Sequence, residues 1–373
     1  MLTAEAAMRT LIVVVGLAGL GVVTGESSTF RDQDARSTLT VGTASAERGK
    51  VAYGELQVPQ GSDAGTNLPV AVIHGARPGK TVAFIAGSHG TEYASTVALT
   101  RLIARIDPAT LSGSVIVAPL LNVASFEQMT VHVNPIDKKG MNGGYPGQKD
   151  GTQTDRALAL VTAQIVEPAD VIVDLHGGDI DEDLRPYSYL TRTGNAAQDD
   201  AARDLVLAFG LDHIILRDID VTNPASIRSL SGYSLSRGKT AIVAEAGRSG
   251  TVVTADVNAL ITGCLNVLGS LKMIARPVVP LAKMKIMWIT NGSRVQADRA
   301  GMFFPSVARD VVVREGAIVG YTTDYLGRKI ADIRAPAAGL VTFIRGVPSM
   351  SPSATLVNVS PILPSPPPYK KPG

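Results

Sequence analysis

Between about residues 51 and 275, short apolar runs rich in Val, Ile and Ala alternate with longer stretches of helical period. The runs fall at 70–73, 82–86, 115–119, 171–175, 213–216 and 241–244. A strand that is apolar without interruption is buried on both faces. Such strands with helices between them predict an α/β class: a mixed, mostly parallel sheet between helices. The helical stretches are 95–106, 154–166, 196–209 and 255–273. Thr152 and Thr154 offer N-cap side chains to the second, and Gly210 follows the third as a C-terminal glycine cap should. The pattern changes near Pro277 and Pro280. From 281 to 360 the runs are short, alternating and glycine-bounded, with no helical period, which predicts a small C-terminal all-β domain. The domain reading is then an α/β domain at 51–280 and a β-domain at 281–360. Residues 26–50 are polar and read as a flexible lead-in, and 361–373, rich in Pro and Lys, as a disordered tail.

The first 25 residues read as a signal peptide. Residues 11–23 are an apolar run of 13, short of the roughly 20 that a membrane span needs. Arg9 precedes it, small residues at 23–25 follow it, and an upstream Glu5 weakens the pattern. The chain is expected to be exported, periplasmic or secreted, with no stable membrane insertion after processing. The alternative is an uncleaved N-terminal anchor. No cysteine follows the run, which excludes a lipoprotein anchor.

Composition narrows the function classes. The 373 residues are 45% hydrophobic and 18% charged, enough for a sizeable core and too apolar for wholesale disorder. Formal net charge is +2 and no Lys/Arg cluster occurs, so no electrostatic footprint for nucleic acid exists. The single cysteine, Cys264, excludes an intrachain disulfide and a thiolate metal cluster. No G-x-S-x-G or G-x-G-x-x-G supports a serine nucleophile elbow or a dinucleotide site. Histidine chemistry must draw on His74, His89, His132, His176 and His213. His74 and His213 sit in strands and read as structural; His132 sits in a loop and could approach a substrate.

Three segments carry chemistry. FIAGSHGTEYAS places His89 and Glu92 three residues apart after a strand and before a helix, so imidazole and carboxylate can converge. VIVDLHGGD puts His176 just past another apolar strand, and AIVAEAGRSG puts Glu245 past a third. Open α/β sheets build their sites at such strand ends. Two histidines and one carboxylate form a catalytic zinc ligand set that leaves a fourth position for water. A further carboxylate must then take the water's proton, and Glu245 is the candidate. Asp174 is read as pointing away from His176, with a structural or ligand-supporting job.

These segments together, followed by a small β-domain, resemble the succinylglutamate desuccinylase/aspartoacylase family of zinc carboxypeptidase-like hydrolases. The resemblance covers roughly residues 51–360. It implies one Zn2+ per chain held by His89, Glu92 and His176, with Glu245 catalytic. It also implies a mixed sheet between helices with an appended β-domain. One departure matters. The family carries D-G-x-N-L-N-R-x-F-P-G where this chain has Asp137-Lys-Lys-Gly-Met-Asn-Gly-Gly-Tyr-Pro-Gly147. Asn142 matches the second asparagine, Gly140 replaces the first, and Gly143 replaces the arginine, removing a bidentate donor to a substrate carboxylate or carbonyl. Arg185 and Arg248 are candidate substitutes because both follow site strands, and Tyr187 is a further substrate-binding candidate. The β-domain resembles a biotinyl/lipoyl-type hammerhead through Gly316–Gly320 and Ala335–Gly339.

The function expected is therefore zinc-dependent hydrolysis of an amide bond in a small N-acyl amino acid or related compound. Alternatives are an esterase or carboxypeptidase acting on short peptides with the same site, and a non-catalytic binding protein on the zinc fold. A homo-oligomer remains open.

Overall fold

The computed structural model describes residues 36–277 and 285–372. The expected signal segment at 1–25 lies outside the described residues. The first described elements are β1 (Thr38–Val41) and β2 (Ala44–Glu47), an antiparallel hairpin. Its residues alternate, burying Leu39, Val41, Ala44 and Ala46. The flexible lead-in read at 26–50 is corrected over this stretch. Two of the four inward residues are alanines, too small to mark a strand by hydropathy.

The chain continues through β3 (Lys50–Val58), β4 (Thr66–His74), β5 (Arg77–Ala86), α1 (Tyr93–Ile103), β6 (Ser112–Ala118) and α2 (Val123–Gln128). Then come α3 (Gln153–Val161), which runs into a π-helical turn at Thr162–Val166, β7 (Val171–His176), β8 (Glu182–Leu184) and β9 (Tyr187–Arg192). Next are α4 (Ala196–Phe209), β10 (His213–Asp218), α5 (Leu230–Ser236), β11 (Thr240–Glu245) and α6 (Thr254–Ser270). The C-terminal strands are β12 (Met287–Thr290), β13 (Ser293–Gln296), β14 (Gly301–Pro305), β15 (Val312–Val313), β16 (Ile318–Thr323), β17 (Lys329–Arg334), β18 (Gly339–Arg345), β19 (Ser349–Met350), β20 (Thr355–Ser360) and β21 (Ile362–Leu363).

The central sheet has the order β21-β12-β10-β9-β11-β7-β5-β6-β4-β3. Pairing is parallel within β12-β10-β9 and within β11-β7-β5-β6, and antiparallel elsewhere. This is the mixed, largely parallel α/β sheet of the sequence reading. Strand alternation divides its side chains between two cores. Val171, Val173 and Leu175 of β7 join α1, α4 and α6 on one face. Ile172 joins the α3 and α5 side on the other. Thr152 caps α3, its backbone N donating to Asp155 Oδ2 at 3.1 Å. Gly210 closes α4 in the left-handed region at φ 94°. The short helices α2 and α5 have too few turns to show a period in sequence.

The remaining C-terminal strands form two smaller antiparallel sheets, β13-β20-β18-β15 with β8 paired to β18, and β17-β16-β14-β19. Phe303, Val319, Val341 and Leu356 fill the core between them. Two boundaries move. β12, read with the β-domain at 281–360, lies in the central sheet, parallel to β10. The tail at 361–373, read as disordered, is ordered over its described residues: β21 pairs with β12, Tyr369 lies beneath Arg192, and Lys370 N donates to Asp218 Oδ2 at 3.0 Å. Proline-rich chain can dock through its carbonyls and flanking aromatics, which composition alone does not reveal. Among the described residues no helix is long and apolar enough to cross a membrane.

Candidate active site

The turn after β5 carries His89 and Glu92, closed by a backbone hydrogen bond from Glu92 N to His89 O. Glu92 immediately precedes α1 and is buried. His176 ends β7 and Glu245 ends β11, and these two residues are paired in the parallel ladder. Gly177 and Gly178 then let the chain turn against its neighbours. A Cβ on Gly178 would stand 2.3 Å from the Glu182 carbonyl oxygen, a position no side chain can share.

The Glu92 carboxylate lies between the two imidazoles. Oε1 is 2.7 Å from His89 Nδ1 and Oε2 is 2.9 Å from His176 Nδ1. Gly177 N also donates to Oε2 at 3.1 Å. One donor atom from each residue falls within 4.8 Å of the others. That nitrogen–oxygen–nitrogen set, with Glu92 and His176 buried and His89 partly exposed, fits a divalent cation of the zinc type. Behind His176, Asp174 Oδ1 is 3.2 Å from Nε2. The reading that Asp174 points away from His176 is corrected: residues two apart in a strand share a face. A carboxylate on the far imidazole nitrogen orients the ring of a metal ligand.

Burial and charge oppose one another here. Burial would raise the Glu92 carboxyl, but His176 and His89 pull it down to about 2. Burial would lower His176, yet Asp174 and Glu92 hold it well above its ordinary value. Glu245 is raised well above the carboxylate range by burial and by the Glu92, Glu182 and Asp174 charges, against the pull of His176. Glu182 is likewise pushed to about 8, first by burial. Burial also keeps the Tyr187 hydroxyl protonated.

A cavity of about 380 Å³ opens on this cluster. His89, Glu92, His176 and Glu245 line it, as do Asn142 and Tyr187 among the substrate-binding candidates. Tyr187 pairs with Glu245 across the antiparallel β9–β11 edge. The other two candidates are not brought there. Arg185 is held by Asp212 at 2.8 Å and by Asp310. Arg248 is exposed, its backbone bridged to Asp183. A position after a site strand fixes where the backbone goes, not which carboxylate captures the side chain. Two other arginines line the cavity, Arg217 at the end of β10 and Arg294 on β13, together with Tyr189. Arg217 had a legible signal, a charge interrupting the apolar run HIILR. Arg294 did not. The β-domain contributes Phe343, Thr355 and Asn358 to the wall. His132 stands beside the cluster, its ring 5.4 Å from that of His89.

Gly143, where an arginine was expected, has φ +97°, and a Cβ there would meet nothing within 4 Å. Its N donates to Arg228 O at 2.9 Å, and Arg228 Nε donates back to Gly143 O at 2.6 Å.

A model of the succinylglutamate desuccinylase/aspartoacylase catalytic domain matches residues 78–271, which hold His89, Glu92, Asp174, His176 and Glu245. The chain belongs to this family. Among curated relatives, the N-alpha-acetyl-L-2,4-diaminobutyric acid deacetylase of Halomonas elongata is 25% identical over 333 residues, covering 87% of this chain and 95% of the relative. Solved structures of the family share the fold. A succinylglutamate desuccinylase from Silicibacter sp. TM1040 superposes with a TM-score of 0.75 at 21% identity, covering 84% of this chain and 95% of that one. The product-bound ectoine utilization protein EutE (DoeB) from Ruegeria pomeroyi gives 0.75 at 21% identity, covering 84% and 96%. Arg294 and the β-domain wall lie outside the matched family residues.

Proposed function

We propose that this family member is a zinc-dependent deacylase that hydrolyses the amide bond of a small N-acyl amino acid. The observation that carries the reading is the Glu92 carboxylate with one oxygen at each imidazole, beside Glu245 paired to His176. Zinc, when bound, supplies a Lewis acid that lowers the pKa of water and polarises a carbonyl oxygen.

His89, Glu92 and His176 would hold the ion, and Asp174, its Oδ1 3.2 Å from His176 Nε2, would orient that ring. Glu245 takes the proton of the attacking water and delivers it to the amine nitrogen as the amide bond breaks. Its place at the end of β11, paired to His176 in the parallel ladder, sets it beside the ligand cluster. Tyr187 presents a protonated hydroxyl next to Glu245. The curated relative supports an N-acetyl amino acid as the substrate class. The presence of a carboxylate at 245 argues against a binding protein that merely keeps the fold. Export remains part of the proposal, supported by the apolar run at 11–23.

The test compares zinc-loaded and chelator-stripped chain on N-α-acetyl-L-2,4-diaminobutyrate, simple esters and short peptides. Zinc-dependent release of acetate supports the deacylase. Turnover of esters or peptides alone supports the esterase or carboxypeptidase alternative. No turnover of any would favour the binding protein.

A further inference from the structure

The cavity carries carboxyl groups around the histidines and guanidinium groups elsewhere on its wall. Glu92, Glu245, Asp174 and Glu182 line it with the two imidazoles, whereas Arg217 and Arg294 supply its cations. Arg217 lies three strands from His176 in the sheet, β10 against β7, roughly 14 Å between strand axes before the side chains reach inward.

Arg217 stands apart from the arginines around it. Arg192 pairs with Asp218 at 2.7 Å and Arg185 with Asp212 at 2.8 Å. Among the described residues no carboxylate lies within ion-pair distance of Arg217, and its buried Nε has no hydrogen-bond partner. Its guanidinium carbon sits 3.9 Å from the centroid of the Tyr189 ring. Stacking orients the planar group at little entropic cost, but leaves its N–H donors free. Tyr189 and Tyr187 lie two apart on β9 with their rings edge to face, so this platform continues to the residue beside Glu245. A half-buried guanidinium without an anion is unfavourable unless a ligand completes it.

We propose that Arg217, held flat by Tyr189 and assisted by Arg294, takes the free carboxylate of the substrate. The proposal rests on the deacylase reading and narrows it to N-acyl amino acids with an unblocked carboxylate. Arg217 gives the carboxylate a cationic partner three strands away from His176. That turns the acyl amide towards His89 and His176. It also explains how a chain with Gly143 in place of an arginine can still recognise an acid.

The test separates binding from turnover. In a zinc-loaded Glu245→Gln chain, calorimetry would compare N-α-acetyl-L-2,4-diaminobutyrate with its primary carboxamide. The free acid is expected to bind roughly 10- to 100-fold more tightly, as a charge-assisted hydrogen-bonded pair implies. Adding Arg217→Met should erase that gap and leave zinc content unchanged, and Arg217→Lys should keep part of it. In the chain with native Glu245, Arg217→Met should raise KM for the acid by a similar factor with kcat little changed. Equal affinity for the two probes, no binding of either, or a gap that survives Arg217→Met overturns the proposal. Hydrolysis by the native chain with such a surviving gap would leave the deacylase reading intact. A gap erased by Arg217→Met in a chain that hydrolyses neither probe would do the reverse.

Discussion

His176 and Glu245 are paired residues at the ends of two adjacent parallel strands. One is a prospective metal ligand and the other the prospective proton carrier. The parallel register places them side by side although 69 positions of sequence, from 176 to 245, separate them. The antiparallel partner adds Tyr187 opposite Glu245. A slip of one residue in either pairing would turn Glu245 to the opposite face and dismantle the site.

Asp174 should matter through His176. Asp174→Asn keeps the shape of the side chain but not the charge at Nε2. Zinc affinity is expected to fall by roughly 10- to 100-fold, the usual cost of losing such an outer partner. Competition with a chelating dye reads this directly. Unchanged affinity would remove Asp174 from the site.

Gly143 should resist restoration of the missing arginine. Its φ of +97° lies where L side chains are strained, although nothing crowds a Cβ there. Gly143→Arg and Gly143→Ala are each expected to lose about 1–3 kcal/mol of stability through backbone strain. Denaturant unfolding measures the loss. Two variants as stable as the native chain would show that the loop relaxes freely.

The cap of α3 gives a pH signature. Burial tends to raise the Asp155 carboxyl, but bonds from Lys139 and Thr152 leave it lowered overall. A folded-state pKa below the unfolded value contributes stability above the unfolded pKa, and that stability is lost as pH falls through the folded one. Asp155→Asn is therefore expected to cost about 1 kcal/mol at pH 7. The deficit should shrink below about pH 4, near the unfolded carboxylate value. Unfolding curves of both proteins at pH 7 and pH 3 check it, and a deficit unchanged at pH 3 contradicts the assignment.

The apolar runs of β5, β7 and β11 made the sheet legible, because strands buried on both faces cannot hide in a sequence. The candidate ligand residues stand out in sequence by their grouping: His89 and Glu92 lie three apart after β5, and His176 ends β7 before a Gly-Gly turn. Small and polar strands were not. β1 and β2 bury alanines, and β9 mixes two tyrosines with serine and threonine. Arg185 and Arg248 were misread because nearness to a site strand does not decide which carboxylate pairs with a guanidinium; Asp212 and Asp310 hold Arg185. Arg217 is the converse: the charge that ends the run HIILR is legible, but its stacking on Tyr189 at the cavity wall is a tertiary fact.

The most direct test of the proposed chemistry is a single substitution read two ways. Glu245→Gln preserves the side chain's volume and leaves His89, Glu92 and His176 untouched. Metal analysis and acetate release would be measured on the same zinc-loaded preparation, beside the native chain. About one zinc per chain retained, with hydrolysis reduced by roughly 100-fold or more, is the expected result. Hydrolysis at the native rate with zinc in place would contradict the role of Glu245 and the mechanism built on it.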